Sequence, residues 1–299
     1  MKIIRKLFFF ISIVSASFLL VALVWYNWPQ KQVDKFMFLP GNSLAYGQLS
    51  IDWQQPGPAQ LFDVFWQKMT AVNPQLNNAL VKKLVISILP RDILFSLKYD
   101  QDYARLNKQP DYDIIIDLGK KTRLVNLGCK IASARGFNCG EDKQFKIMNN
   151  LMILNAANIH QESLPAIELA GLRAIFKPYA REELNIYIPN RQRELSVLIK
   201  YFEQKNSFAF FPAIDSVEYV QVNGNLVSAD QVRGKMSFTA RYIADVDKIS
   251  LDAFFLNNLL MRLLLGEGLA YEGEVSSLAN FVEINYQVKD LHNIWRQIQ

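Results

Sequence analysis

The apolar stretch LFFFISIVSASFLLVALVWY, Leu7–Tyr26, decides how this chain folds, because it sets the compartment in which every later residue must fold. Its 20 residues carry no charge, and as a helix they would span roughly 30 Å, the hydrocarbon thickness of a bilayer. Apolar side chains occupy every face of that helix, whereas a surface helix of a soluble domain is apolar along one stripe only. The stretch therefore predicts a single N-terminal transmembrane helix.

Charged and aromatic residues around this stretch predict its direction. Basic residues, with no acidic one among them, precede it: Lys2, Arg5 and Lys6. Aromatic residues suited to the membrane interface end it or follow it: Trp25, Tyr26 and Trp28. Because positive charge stays on the cytoplasmic side, we expect residues 1–30 to form a cytoplasmic tip and a signal anchor in the inner (cytoplasmic) membrane. Residues 31–299 then form an exported, periplasmic domain.

A cleaved signal peptide is the alternative to an uncleaved anchor. Ser15-Ala16-Ser17 resembles the small-residue site at which signal peptides are cut. However, the apolar run continues beyond it from Phe18 to Tyr26, which makes it longer than the apolar region of an ordinary signal peptide. We therefore favour the uncleaved anchor, and cleavage stays open as the alternative.

Composition indicates a folded exported domain without a nucleic-acid partner. Removing the first 30 of 299 residues leaves 269, enough for one large domain or for two coupled halves, about 36–204 and 205–299. The formal charge is +5, and three of these charges precede the apolar stretch, so the exported part carries only +2. It contains no basic block and no nucleic-acid-binding motif, and it lies in the wrong compartment for such a partner.

The two cysteines, Cys129 and Cys139, lie ten positions apart. In an oxidising compartment two nearby cysteines pair more often than not, and a bridge across so short a loop stabilises by roughly 2–3 kcal/mol. The spacing is not the C-x-x-C of redox-active pairs, and no histidine or carboxylate stands nearby at a metal-ligand spacing. We therefore predict a structural disulfide and no metal site, with two free thiols as the alternative.

The periodicity of the exported part predicts alternating helices and strands. In the first part, helices are expected at 61–72, 74–88, 120–134, 162–176 and 191–204, and strands at 43–51, 93–99, 112–118, around Asn149-Asn150 and at 183–188. In the second part, Asn223-Gly224 predicts a hairpin turn, followed by a strand at 231–245, a helix at 246–268 and a hairpin over 269–288. This order predicts an α+β fold, a largely antiparallel sheet packed with amphipathic helices.

No catalytic constellation is visible. The sequence has two histidines, His160 and His292, and no motif connects them. Ser43 lies in GNSLAYG, which is not the G-x-S-x-G pattern of a nucleophile elbow. A hydrolase would need Ser, His and acidic groups from distant segments to converge. We therefore predict a protein that is not an enzyme and that holds no cofactor.

The most distinctive segment of the exported part is one strongly hydrophobic helix. The predicted helix at 246–268 is hydrophobic over most of its circumference because of eight residues: Phe254, Phe255, Leu256, Leu259, Leu260, Leu263, Leu264 and Leu265. One interpretation is a core helix under the sheet. The other is that one face lines a lipid-sized cavity or docks a partner.

Two segments carry a resemblance. FLPGNSLAYGQLSID, Phe38–Asp52, resembles the start of the exported domain in bacterial signal-anchored envelope (periplasmic) proteins of unknown function, with the pattern P-x-[DN]-[ST]-x-A-Y-x-x-[LV]. SSLANFVEINYQV, Ser276–Val288, is similar to a late strand of the same family. The resemblance implies an α+β exported domain without known catalysis, and it supplies no site residues.

Together these observations predict a non-catalytic bitopic envelope protein. We expect its exported domain to bind other proteins close to the membrane, as a scaffold or an assembly subunit. The alternative is a periplasmic domain that binds a lipid or another apolar ligand.

Overall fold

The computed structural model describes residues 32–40, 43–72, 74, 77–98, 112–134, 145–154, 166–176, 182–191, 195, 212–266 and 268–293. The predicted anchor, Leu7–Tyr26, lies outside these residues and stays a prediction. No helix formed by the described residues is long and apolar enough to cross a membrane.

The described residues form ten strands and five α-helices. The strands are β1 Ser43–Ser50, β2 Asp92–Lys98, β3 Tyr112–Asp117, β4 Phe145–Met148, β5 Leu151–Leu154, β6 Leu184–Pro189, β7 Val217–Ser228, β8 Gln231–Ala240, β9 Ala270–Leu278 and β10 Phe281–Lys289. The helices are α1 Pro56–Val72, α2 Ala79–Ile88, α3 Thr122–Ala134, α4 Ala166–Phe176 and α5 Val246–Gly266. Short 3-10 segments at Gly119–Lys121 and Ile243–Asp245 lead directly into α3 and α5.

All ten described strands belong to one sheet, in the order β4-β5-β3-β2-β1-β6-β7-β8-β10-β9. Every neighbouring pair in it is antiparallel. The predicted α+β class with a largely antiparallel sheet is therefore confirmed.

The two halves of the sheet repeat one topology. Counted outward from the centre, one half runs β1-β2-β3-β5-β4 and the other runs β6-β7-β8-β10-β9. In each half a helix entered through a 3-10 segment, α3 or α5, connects the third strand to the outer hairpin. Because β1 and β6 are antiparallel neighbours, the halves are exchanged by a half-turn about an axis normal to the sheet. That axis passes beside the paired residues Gly47 and Ile186.

Equivalent hydrogen bonds support this repeat. Just beyond β3, the Leu118 N–H donates to the Asn150 carbonyl oxygen at 2.9 Å, and at the end of β8 the Ala240 N–H donates to the Asn280 carbonyl oxygen at 2.8 Å. Both acceptors are the second residue of a two-residue turn, β4–β5 in one half and β9–β10 in the other. The first residue of each turn, Asn149 and Ala279, has a positive φ, 52° and 44°. The turn predicted at Asn149-Asn150 is thus confirmed, and its counterpart lies at Ala279-Asn280.

The hairpin turn predicted at Asn223-Gly224 is wrong. Strand β7 continues through both residues, and the chain turns at Ala229-Asp230 instead. Gly224 pairs with Gly234 of β8, and the Tyr286 side chain lies over these two glycines. A Cβ on Gly234 would come within 2.5 Å of the Tyr286 hydroxyl oxygen, which donates to the Asn223 carbonyl oxygen at 3.0 Å. The absence of a side chain at Gly234 therefore leaves room for an aromatic ring to approach the strand. Close approach of another group is one of the reasons for glycine within a strand.

A first hydrophobic core lies against the β1–β5 half of the sheet. Leu94, Ile115 and Ile153 stand directly opposite one another on β2, β3 and β5 and are fully buried. Leu172 and Phe176 of α4 belong to the same buried cluster, so α4 covers this face of the sheet.

A second hydrophobic core lies against the β6–β10 half. Val220, Phe238 and Val282 stand opposite one another on β7, β8 and β10. Ile249 and Ala253 of α5 pack into the same cluster, so α5 covers the sheet here.

The strand register shows that these two cores lie on opposite faces. On neighbouring strands, Leu94 lies opposite Gln48, Gln48 opposite Asn185, and Asn185 opposite Asn223. Directly opposite residues point to the same side of a sheet, so all four side chains share one face. Val220 lies three positions from Asn223 on the same strand and points to the other face, because side chains alternate along a strand. Helix α5 is therefore packed on the face opposite to that of α4.

Candidate functional site

Helix α5 is held against the sheet by its inner side. Val246, Ile249 and Ala253 recur at helical spacing and are buried, Ile249 and Ala253 completely. Leu256 packs against the same core. Residues three or four positions apart lie on one face of a helix, so these side chains define the face that contacts the sheet.

Two polar side chains prevent the helix from turning about its axis. The buried Asp252 carboxylate accepts a hydrogen bond from the Ala213 N–H at 2.8 Å. The Asn257 amide donates to the Gly273 carbonyl oxygen at 3.0 Å and accepts from the Tyr271 hydroxyl at 2.7 Å. Burial, with a smaller contribution from neighbouring Tyr286, raises the pKa of Tyr271 to about 12, so this phenol keeps its proton at neutral pH. These bonds determine which side of α5 faces outward.

The side that faces outward is apolar. Leu251, Phe254, Phe255 and Leu265 each expose more than half of their surface, and Met261 exposes 37%. We call these five side chains the outer face of α5. Tyr242 and Ile243, in and beside the preceding 3-10 segment, are also exposed. A row of large exposed hydrophobic side chains on one helix marks an interaction surface, whereas single exposed ones are ordinary.

Few charges accompany the outer face. Between Leu251 and Leu265 the sequence has two ionisable residues, Asp252 and Arg262, and Asp252 is buried on the inner side. The first turn of the helix exposes Asp247 and Lys248, which are of opposite sign. A charge-poor centre with aromatic, Met and Leu side chains is the composition of a protein–protein contact.

The equivalent helix of the other half shows the same character. Helix α3 is present as predicted, and its Leu124 and Leu127 are exposed, at 40% and 45%. Helix α3 takes the same place in its half of the sheet as α5 does in the other. Exposed apolar side chains thus occur on both of these topologically equivalent helices.

Of the sequence-predicted site residues, Cys129 alone belongs to the part of the chain that the structure describes. Cys129 lies on α3, while Cys139 lies outside the described residues, so the disulfide stays a prediction. The interface residues Trp25, Tyr26 and Trp28 also lie outside the described residues.

The sequence did not predict a cluster of two aspartates and one histidine that lies beside the β7–β8 turn and the end of β10. Asp230, Asp290 and His292 place potential metal-ligand atoms within 4.8 Å of one another. His292 Nδ1 lies 2.7 Å from Asp230 Oδ1, and the His292 N–H donates to the same oxygen at 2.8 Å. Burial would raise the pKa of Asp230, but the hydrogen bonds and charge of His292 outweigh it and lower that pKa. Hydrogen bonding within this exposed cluster accounts for its geometry. The sequence could not predict the cluster, because Asp230 and Asp290 are 60 positions apart and no motif connects them.

A polar row, buried at Asn185 and Asn223, crosses the centre of the sheet on the face opposite to α5. Gln48, Asn185 and Asn223 pair in sequence across β1, β6 and β7. The Asn223 side chain is 3% exposed, and neither its oxygen nor its nitrogen has a hydrogen-bond partner among the described residues. The same holds for the amide nitrogen of Gln221. A polar row of this kind does not suit an apolar ligand.

Comparison of the chain with protein-family models, curated proteins and solved structures finds no match. The resemblance to signal-anchored envelope proteins therefore stays a prediction. Function has to be argued from the surface itself, and the outer face of α5 is the feature that distinguishes this surface.

Proposed function

We propose that this chain is a non-catalytic, single-pass envelope protein whose exported domain binds another protein through the outer face of α5. The observation that carries the proposal is the row of five exposed apolar side chains on a helix whose inner side is anchored by Asp252 and Asn257. Because these anchors hold the helix in one orientation, the helix cannot bury its outer face by rotating. No element of the described residues covers it, and we infer that a second molecule does.

The predicted anchor supports a site of action beside the membrane. The first described residue, Gln32, lies six positions after Tyr26, the end of the apolar stretch. Six extended residues reach at most about 20 Å. An uncleaved anchor would therefore hold the domain next to the inner membrane, on the periplasmic side, where its partners would be other envelope proteins.

The charges favour a protein over a lipid surface as the occupant. Helices that lie in the membrane interface carry many Lys and Arg residues beside their apolar face. Helix α5 has one lysine and one arginine, Lys248 and Arg262, against two acidic residues, Asp247 and Asp252. It lacks the positive charge that anionic lipids attract.

The test is native mass spectrometry of the full-length protein, extracted gently from its own membrane. We expect the protein to carry additional protein mass, and the double substitution Phe254→Asp with Phe255→Asp to remove that mass. The control is Leu80→Asp, which places one negative charge on α2 at a leucine that is 75% exposed. It should leave the complex intact.

Two results would overturn the proposal. One is a protein that runs alone at the mass of a single chain before any substitution. The other is a bound mass of several hundred daltons, which would indicate lipid binding instead.

A further inference from the structure

The outer face of α5 contains a regular seam. Leu251, Phe254, Asn258, Met261 and Leu265 follow one another at intervals of three, four, three and four residues. Each is partly or largely exposed. This is the heptad spacing at which one helix presents a continuous edge to another helix. We call these five residues the α5 seam.

The α5 seam is nearly symmetric in residue type about its centre, although its spacing of three, four, three and four residues becomes four, three, four and three in reverse. Asn258 is its centre, leucines form both ends, and the two large unbranched or aromatic residues Phe254 and Met261 lie between. When two such helices pack antiparallel about a two-fold axis at Asn258, Leu251 meets Leu265 of the second copy. Phe254, four positions before the axis, then lies beside Met261 of the second copy, three positions after it, at an offset of about 1.5 Å along the helix. Sulfur–aromatic contacts of this kind are favourable.

Resting on the proposed function, we propose that the protein on this surface is a second copy of the chain, packed antiparallel through the α5 seam. A two-fold dimer needs one surface patch that complements itself, and the nearly symmetric seam provides it. A different partner would need no such symmetry in the seam.

Asn258 sets the register of this pairing. Its amide nitrogen donates to the Phe254 carbonyl oxygen at 3.0 Å within its own helix, which holds the side chain at the seam. On the two-fold axis it meets Asn258 of the second copy, so polar groups face polar groups. A shift by one heptad would set this amide against a leucine, and a single asparagine in an apolar seam is known to select register for that reason.

The exposed area is sufficient for such a dimer. From their exposed fractions, the five side chains of the outer face leave on the order of 500 Å² uncovered, so two copies would bury about 1,000 Å², near the lower size of a specific interface. Phe255, whose exposed area is already included in this figure, lies beside the seam and forms an aromatic contact at its margin.

Disulfide trapping in the native membrane tests both the partner and the direction of pairing. Asn258→Cys lies on the axis, and we expect oxidation to convert most of the full-length chain to a dimer. Leu251→Cys alone should stay monomeric, because the two copies of this position lie about 20 Å apart in the antiparallel arrangement. Coexpressed with a differently tagged Leu265→Cys chain, Leu251→Cys should form the mixed dimer. The unsubstituted chain, with Cys129 and Cys139 in place, gives the background.

The outcomes separate this inference from the proposed function. If Leu251→Cys dimerises with itself and the mixed pair does not form, the antiparallel dimer is excluded. If Asn258→Cys joins a chain of different mass, a different protein occupies the surface; the dimer is excluded and the proposed function stands. If none of the three positions is trapped and native mass spectrometry shows a single chain, both fail.

Discussion

The Asn257 side-chain amide and the Gly273 carbonyl oxygen lie 3.0 Å apart and connect α5 to strand β9. This hydrogen bond and the one from Tyr271 to Asn257 join the helix that carries the outer face to the edge of the sheet. The orientation of the proposed binding surface therefore depends on a small group of polar contacts as well as on the hydrophobic core.

Gly273→Ala should weaken this attachment. A Cβ at this position would come within 2.0 Å of Asn257 Oδ1 and 2.6 Å of the Tyr271 hydroxyl oxygen, so both side chains must move. We expect a loss of about 1–3 kcal/mol in the free energy of unfolding, as for other over-packed sites, measured by urea denaturation.

The matched control is Gly171→Ala on α4, where a Cβ meets nothing within 4 Å. There the substitution should stabilise by up to about 1 kcal/mol, because alanine favours a helix over glycine. Equal effects at the two sites would contradict the steric argument.

Asn223→Leu should leave stability unchanged or raise it. The side chain is buried and its amide has no hydrogen-bond partner among the described residues, so an apolar side chain of similar size removes a desolvation cost. The comparison is Asn190→Leu, since the fully buried Asn190 amide donates to the carbonyl oxygens of Ile214 and Val217, both at 2.8 Å. Losing these bonds should cost at least about 2 kcal/mol.

Urea unfolding of both variants decides this point. A large loss of stability for Asn223→Leu would show that the Asn223 amide has a polar partner in the native protein. The buried polar row would then become a candidate ligand site.

The domain should lose stability steeply above pH 10. Burial is the main cause that raises the pKa of Tyr187, Tyr271 and Tyr286 to about 12, from an ordinary value of 10.0. Between pH 10 and 12 the unfolded chain releases these phenol protons while the folded chain keeps them. Stability is therefore complete below pH 10 and falls as pH rises through the folded-state values.

Tyr286→Phe isolates one of these groups. The variant loses the hydrogen bond to the Asn223 carbonyl oxygen, which should cost about 1 kcal/mol at neutral pH. Its stability should also fall less steeply between pH 10 and 12, as measured from urea midpoints and from tyrosinate absorbance. An unchanged slope would mean that Tyr286 titrates alike in both states.

Thiol labelling tests the predicted disulfide and the predicted orientation together. If residues 31–299 lie in an oxidising compartment, unfolded but unreduced protein from the native membrane should show no free thiol at Cys129 or Cys139. Reduction should then expose both. Full labelling before reduction would contradict the bridge and the outward orientation.

Local sequence patterns predicted most elements because they depend on near neighbours in the chain. Alternation of side chains indicated β2, a short apolar run indicated β3, and apolar spacing of three and four indicated α1 and α3. The turn at Asn149-Asn150 was predictable because asparagine tolerates a positive φ.

The repeat of the two halves was not predictable in this way. The equivalent segments share no sequence pattern, and the equivalence rests on strand order and on hydrogen bonds such as those of Leu118 and Ala240. The hairpin turn predicted at Asn223-Gly224 was wrong for a related reason. The ring of Tyr286, which is distant in sequence, occupies the space over Gly224 and Gly234. No pattern within β7 reveals it.

Helix α5 shows the same division most clearly. Its sequence established that it is a helix and that it is apolar over most of its circumference, because both properties depend only on the residues of this segment. The tertiary structure decided which side is covered, since an all-apolar helix has no preferred inner face of its own. Hydrogen bonds to distant segments fix the covered side: Asp252 accepts from the Ala213 N–H, and Asn257 donates to the Gly273 carbonyl oxygen.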